Sequence, residues 1–168
     1  MKRFVVFFSA AVLGIGCGLL VAVNYSVTTV TDKSMEPTLS MGQHVLIDRM
    51  QWGDKTFNRG DIVLFANPMY TETGESAVMM KRIIGIAGEW VSMTEGWVYI
   101  DGTPLDESAY LTEGMLAGQE RENMVKQFVD GGQYFVLGDD RRKSTDSRSK
   151  TVGLVKAEDL QGKVIKIW

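Results

Sequence analysis

The chain carries two hydrophobic patterns: one unbroken apolar run at its start and a series of short strand-like runs beyond it. Residues 4 to 23, reading F-V-V-F-F-S-A-A-V-L-G-I-G-C-G-L-L-V-A-V, hold no charged side chain. Wound as a helix at about 1.5 Å per residue, that run spans roughly 30 Å, the thickness of a bilayer's hydrocarbon core. It predicts a transmembrane anchor over 4–23, between a short N-terminal segment at 1–3 and an outer domain at 24–168. After Asn24 the helical spacing stops. Val27 to Thr31 is β-branched throughout, and His44 to Met50, Asp61 to Ala66 and Val78 to Ile86 are apolar or alternating runs. Trp90 to Met93 and Trp97 to Ile100 flank Thr94-Glu95-Gly96, a hairpin signal, and Asp101-Gly102 is a second turn. Tyr134 to Leu137 and Val164 to Trp168 complete the predicted strands. Residues 107 to 126 are polar, with Met115, Leu116, Met124 and Val125 scattered through them, and read as a loop or a short helix. The expected fold is mainly β, an antiparallel domain after one N-terminal transmembrane helix.

The run over 78–86 contains two adjacent cations, Lys81 and Arg82. Alternation along a strand puts Met79, Lys81 and Ile83 on one face and Met80, Arg82 and Ile84 on the other. Burial disfavours an ammonium and lowers its pKa, and a lysine near neutrality can take a proton from a hydroxyl. An exposed lysine with its stem laid along the sheet is the plain alternative. A guanidinium cannot shed its charge, so an inward Arg82 needs a partner. Residues 137–148, L-G-D-D-R-R-K-S-T-D-S-R, offer three aspartates, and read either as a solvated loop or as a network behind the lysine.

Residues 31–39 read T-D-K-S-M-E-P-T-L. Pro37 fixes its own φ near −65° and pushes Glu36 toward extended geometry, which makes a stiff turn around Ser34. A serine in such a turn can simply cap it. Beside a neutral lysine it becomes a nucleophile, with no need of histidine or metal.

Charge and composition narrow the choices. Lys2 and Arg3 precede the apolar run and no basic residue follows until Lys33, which by the positive-inside rule puts the N-terminus in the cytoplasm and the rest outside. A cleaved signal peptide shares the basic start and apolar core, but a run this long fits a retained anchor. The formal charge is −3, and without Lys2 and Arg3 it is −5, against the basic face of a nucleic-acid binder. The only cysteine, Cys17, lies in the apolar run, so the outer domain has no disulfide and no thiol nucleophile. The only histidine, His44, starts a predicted strand and reads as an exposed edge residue; no multi-histidine metal site exists and no cofactor is implied. Trp52 and Phe57 suit either a membrane interface or core packing.

Four stretches in order, Ser34-Met35-Glu36-Pro37-Thr38-Leu39, Arg59-Gly60-Asp61-Ile62-Val63, Lys81-Arg82-Ile83-Ile84-Gly85 with Gly88-Glu89, and Gly138-Asp139 through Asp146-Ser147-Arg148, resemble the motif boxes of type I signal peptidases. A lysine at 81 and a single anchor are similar to the bacterial branch and its Gram-positive form. The resemblance implies a membrane-anchored serine protease acting on signal peptides of exported preproteins at a lipid surface. It implies Ser34 as nucleophile, Lys81 as general base, and Ser144 as the residue that orients the lysine. Arg82, Asp139, Arg141, Asp146 and Arg148 are implied as a supporting ion-pair network, and the Ser34 N–H as one oxyanion donor. Met35, Leu39, Met79 and Met80 are implied as walls of shallow pockets for the small residues before the cut.

The chain departs from the family pattern at Asp32, where serine or glycine is common two residues before the nucleophile. A carboxylate cannot donate a hydrogen bond to an oxyanion and repels it. Either Asp32 points away, or Thr31 or water supplies the second donor, or activity is reduced. Asp140 stands where asparagine is usual, Arg142-Lys143 where polar or acidic residues are commoner, and Ala87 where proline is frequent. Two other classes follow from the same residues: a non-catalytic membrane-anchored assembly or chaperone module, and a self-cleaving repressor, which would need an N-terminal DNA-binding helix pair in place of the anchor.

Overall fold

The computed structural model of the chain describes residues 14–16, 18, 22–49, 57–67, 77–112 and 123–168. Most of the expected anchor, and the segment at 1–3, lie outside these residues. Residues 14–16, 18 and 22–24 are helical, and no helix among the described residues is long and apolar enough to cross a membrane.

Beyond residue 24 the chain is built from strands: β1 (Tyr25–Thr29), β2 (His44–Asp48), β3 (Ile62–Asn67), β4 (Ala77–Gly85), β5 (Trp90–Thr94), β6 (Trp97–Ile100), β7 (Thr103–Pro104), β8 (Met124–Phe128), β9 (Gln133–Leu137), β10 (Val155–Lys156) and β11 (Leu160–Ile167). They form a seven-stranded sheet in the order β1-β2-β11-β3-β4-β9-β10 and a four-stranded sheet in the order β7-β6-β5-β8. Every pairing is antiparallel.

Sheet position follows from sequence pattern. At one edge, β1 alternates exposed and half-buried residues. In the interior, β3 is an almost continuous apolar run because both of its faces are covered. Val63 and Phe65 pack on one side with Phe57, Met79, Ile83 and Val136; Ile62 and Leu64 pack on the other with Val30, Met35, Leu39, Val45 and Ile47. A third cluster, Ile84, Val91, Met93, Val98, Val129, Phe135 and Leu137, joins the two sheets. The hairpin β5–β6 turns at Glu95-Gly96 and the next at Asp101-Gly102, each pair with positive φ at both residues, the geometry that a two-residue connection demands.

The expected strands are present with end shifts of a few residues, and the two-residue strands β7 and β10 are additions to them. Residues 107–126 are the exception: the chain turns at 107–111 and then forms the edge strand β8, whereas 113–122 lie outside the described residues. β8 shows little period-2 alternation because it is a largely exposed edge with few apolar anchors. His44 is exposed, as expected, but begins an interior strand rather than an edge one, and its Nδ1 meets Thr29 Oγ1 at 3.0 Å. Phe57 is buried, edge-on to Tyr134 with ring centroids 6.0 Å apart, so it belongs to the core and not to a membrane interface. Trp52 lies outside the described residues.

Candidate active site

The turn that carries Ser34 is nailed down from below. Met35 and Leu39 are four residues apart, joined by Leu39 N–H donating to Met35 O at 2.8 Å, and both insert into the core cluster around Val45 and Ile47. From the side, Asp140 N–H donates to Ser34 O at 3.0 Å. Of the four residues expected as pocket walls, Met35 and Leu39 are fully buried in the core cluster, Met79 is buried beside Phe57 and Val63, and Met80 is partly exposed.

Lys81 sits in mid-strand, opposite Val63 of β3, on the face it shares with Met79 and Ile83. It is 1% exposed, and its Nζ lies 2.7 Å from Ser34 Oγ and 3.0 Å from the Met80 carbonyl oxygen. Burial pulls its pKa below the usual lysine value; the charges of Asp32 and Asp146 oppose that pull without cancelling it. A dry amine against a hydroxyl is the arrangement that allows proton transfer at moderate pH.

Behind the lysine lies a chain of ion pairs. Arg82, on the opposite face of β4, donates Nε to Asp139 Oδ1 at 2.8 Å and Nη2 to Asp139 Oδ2 at 2.6 Å, and a third hydrogen bond goes to Gly60 O at 2.8 Å. Thr38 Oγ1 donates to the same carboxylate at 2.5 Å, which ties the serine turn to the network. Arg148 donates Nε to Asp146 Oδ1 at 2.7 Å and Nη2 to Arg141 O at 2.7 Å, and Asp146 Oδ2 accepts Gly138 N–H at 3.0 Å. Arg141 Nη2 donates to Glu107 Oε1, with both side chains buried. Glu107 also accepts from the Tyr110 hydroxyl at 2.7 Å, and the Arg82 guanidinium lies 4.0 Å above the Tyr110 ring. Sequence reasoning missed Glu107 and Tyr110, which stand in a polar stretch without periodicity; an unmatched cation in the 137–148 loop was the only hint of an acidic partner elsewhere. The two charge departures offset each other, Lys143 Nζ reaching Asp140 Oδ2 at 2.8 Å.

Gly138 is where this loop touches the serine. A Cβ there would stand 2.3 Å from Ser144 Oγ and 2.6 Å from Ser34 O, so only hydrogen allows the approach. Ser144 Oγ is buried and has no hydrogen-bond partner among the described residues, and Lys81 Nζ bonds Ser34 Oγ and the Met80 carbonyl.

Asp32 does not point away. Its Oδ1 accepts the Ser34 N–H at 2.7 Å, the very donor expected to serve an oxyanion. An acidic residue two positions before a serine is the pattern of an Asx-turn, the signal that would have disclosed this contact. Burial pushes the Asp32 carboxyl up, but hydrogen bonding from Ser34 and the charge of Lys81 outweigh it and leave it below the usual value. Among the described residues no three His, Cys, Asp or Glu side chains converge as metal ligands.

The chain is similar to known proteins. A family model described as "Signal peptidase, peptidase S26" matches residues 1–168. The chain is 32% identical over 163 residues to a probable signal peptidase I-2 of Synechocystis sp., covering 95% of this chain and 69% of that protein. It is 32% identical over 137 residues to signal peptidase I of Bacillus amyloliquefaciens, covering 79% of this chain and 70% of that one. A crystal structure of a signal peptidase I from Enterococcus faecalis superposes with a TM-score of 0.51 at 28% identity, covering 68% of this chain and 100% of that chain.

Proposed function

The chain belongs to the signal peptidase family, peptidase S26, and from that premise we propose a membrane-anchored serine endopeptidase that removes signal peptides from exported preproteins with a Ser34–Lys81 dyad. The observation that carries the reading is the 2.7 Å contact between Lys81 Nζ and Ser34 Oγ in a site closed to water. Neutral Lys81 takes the Ser34 proton as Oγ attacks the carbonyl carbon after a small residue. The oxyanion is held by the Ser34 N–H and a second donor. Lys81 then gives the proton to the leaving amine as the C–N bond breaks, and an acyl ester on Ser34 remains. Water, losing a proton to Lys81, attacks that ester, and Lys81 passes the proton to Ser34 Oγ as the ester C–O bond breaks, which restores the neutral lysine and the free hydroxyl.

Arg82, Asp139, Arg141, Asp146 and Arg148 hold the two strands and the serine turn in register. Ser144 supplies a buried acceptor for the lysine ammonium that forms during the reaction. Signal peptides lie extended beside the strands that lead to Ser34 and Lys81, with Met80 at the surface and Met35 and Leu39 as the floor beneath. The apolar run at 4–23 anchors the chain in the cell membrane, with residues 1–3 cytoplasmic and the β domain outside, where signal peptides emerge from lipid. Concentration at that surface raises the local substrate level without new contacts. The test is cleavage of a preprotein in detergent: Ser34→Ala and Lys81→Ala should both be inactive. Full cutting by Lys81→Ala removes the dyad from the mechanism.

A further inference from the structure

We propose that Asp32 is a positioning residue that latches the oxyanion donor: its carboxylate holds the Ser34 N–H in the resting chain, and a substrate carbonyl oxygen must take that N–H from it before acyl transfer. This rests on Ser34 as nucleophile and Lys81 as base. The Ser34 N–H donates to Asp32 Oδ1 at 2.7 Å. One N–H serves one strong acceptor at a time, and an ionised carboxylate outcompetes a neutral carbonyl for it. Once the tetrahedral oxygen is negative, the two anions repel, so the latch has to open first.

The bland account is that Asp32 merely shapes the turn. The turn is held without it. Ser34 O is bound by the Asp140 N–H at 3.0 Å, Leu39 N–H by Met35 O at 2.8 Å, and Met35 and Leu39 are locked in the core. Asp32 is exposed, so its side chain has room to swing into water. Its charge also faces the lysine. From the serine turn Asp32 acts on Lys81; from the 137–148 loop Asp146 does so, itself paired with Arg148; Nζ hydrogen-bonds the neutral Ser34 Oγ and Met80 carbonyl. A carboxylate at 32 therefore occupies the donor and opposes part of the burial effect that pulls the Lys81 pKa down. Both effects restrain the enzyme near neutral pH.

The experiment uses the full chain in detergent with a preprotein substrate, and compares wild type with Asp32→Gly, Asp32→Ser and Asp32→Asn. Opening the latch should raise kcat in Asp32→Gly and Asp32→Ser by roughly tenfold, a part of the factor of about 10² or more that one oxyanion donor supplies. Asp32→Asn keeps an acceptor oxygen without the charge, so its kcat should rise less. In all three the acidic limb of the kcat/KM profile should move to lower pH, because a negative charge beside Lys81 is gone. Should Asp32→Gly melt early, Asp32→Ser carries the same test. Unchanged or slower turnover with an unmoved limb overturns the latch. Cutting by Ser34→Ala in the same assay would instead overturn the dyad beneath it.

Discussion

Arg82 and Asp139 meet through two parallel hydrogen bonds with both side chains buried, and Asp139 also receives the Thr38 hydroxyl from the serine turn. A pair like this is costly to bury and costly to break. Arg82→Met leaves a carboxylate stranded and should cost about 3–5 kcal/mol of stability. Adding Asp139→Leu should recover much of that loss, while cleavage stays low because Thr38 is cut loose. Urea midpoints of the two variants, set beside preprotein cleavage, check both halves.

Lys81→Met should abolish cleavage and yet stabilise the fold. In the unfolded chain the lysine keeps its proton to about pH 10; in the folded chain burial makes it give the proton up earlier. Between those values the unfolded state binds more protons, so wild-type stability rises with pH, and below them the full cost of burying the ammonium is felt. The methionine variant escapes that cost. Its advantage should be largest near neutral pH and below, and should shrink as pH climbs toward 10. Urea unfolding across that range is the measurement; a constant difference would mean the lysine is not buried as an ammonium.

Gly138→Ala forces a methyl group against Ser144 and the Ser34 carbonyl. Overpacking of this kind costs about 1–3 kcal/mol. Because the second obstacle is backbone next to the nucleophile, cleavage should fall further than the stability loss explains. Ser144→Gly in the same chain removes the nearer obstacle and should restore stability more than activity.

Glu107→Ala should destabilise by about 3–5 kcal/mol by stranding the buried guanidinium of Arg141. Tyr110→Phe removes only the 2.7 Å hydroxyl contact to Glu107 and keeps the ring under Arg82, so about 1–3 kcal/mol is expected. Thermal melts of the two rank them. Equal losses would place the effect in the Tyr110 hydroxyl contact to Glu107 and not in the Arg141 ion pair.

Much of this site was legible before any coordinates. Strand alternation put Lys81 on the face of Met79 and Ile83, though an exposed lysine stayed open until burial was seen. Arg82, unable to neutralise, had to find one of the aspartates of 137–148, and found Asp139. What stayed hidden depends on distance along the chain. Glu107 reaches Arg141 across 34 residues, and no local pattern encodes a partner so remote. β8 escaped because its exposed edge leaves it few apolar positions to keep. The burial of Met35 and Leu39 was readable as apolar content, but the direction they take was not; a tight turn leaves both options open until β2 and β3 close beneath it.

The topology sets a timetable for synthesis. β11, residues 160–167, lies between β2 and β3, which have no direct backbone pairing of their own. While the ribosome is still making residues 140 to 155, the large sheet exists only as two unstitched flaps. The Ser34–Lys81 contact thus waits on a strand that is made after both of the partners it stitches together, and until residue 160 is added the turn and the lysine belong to separate flaps.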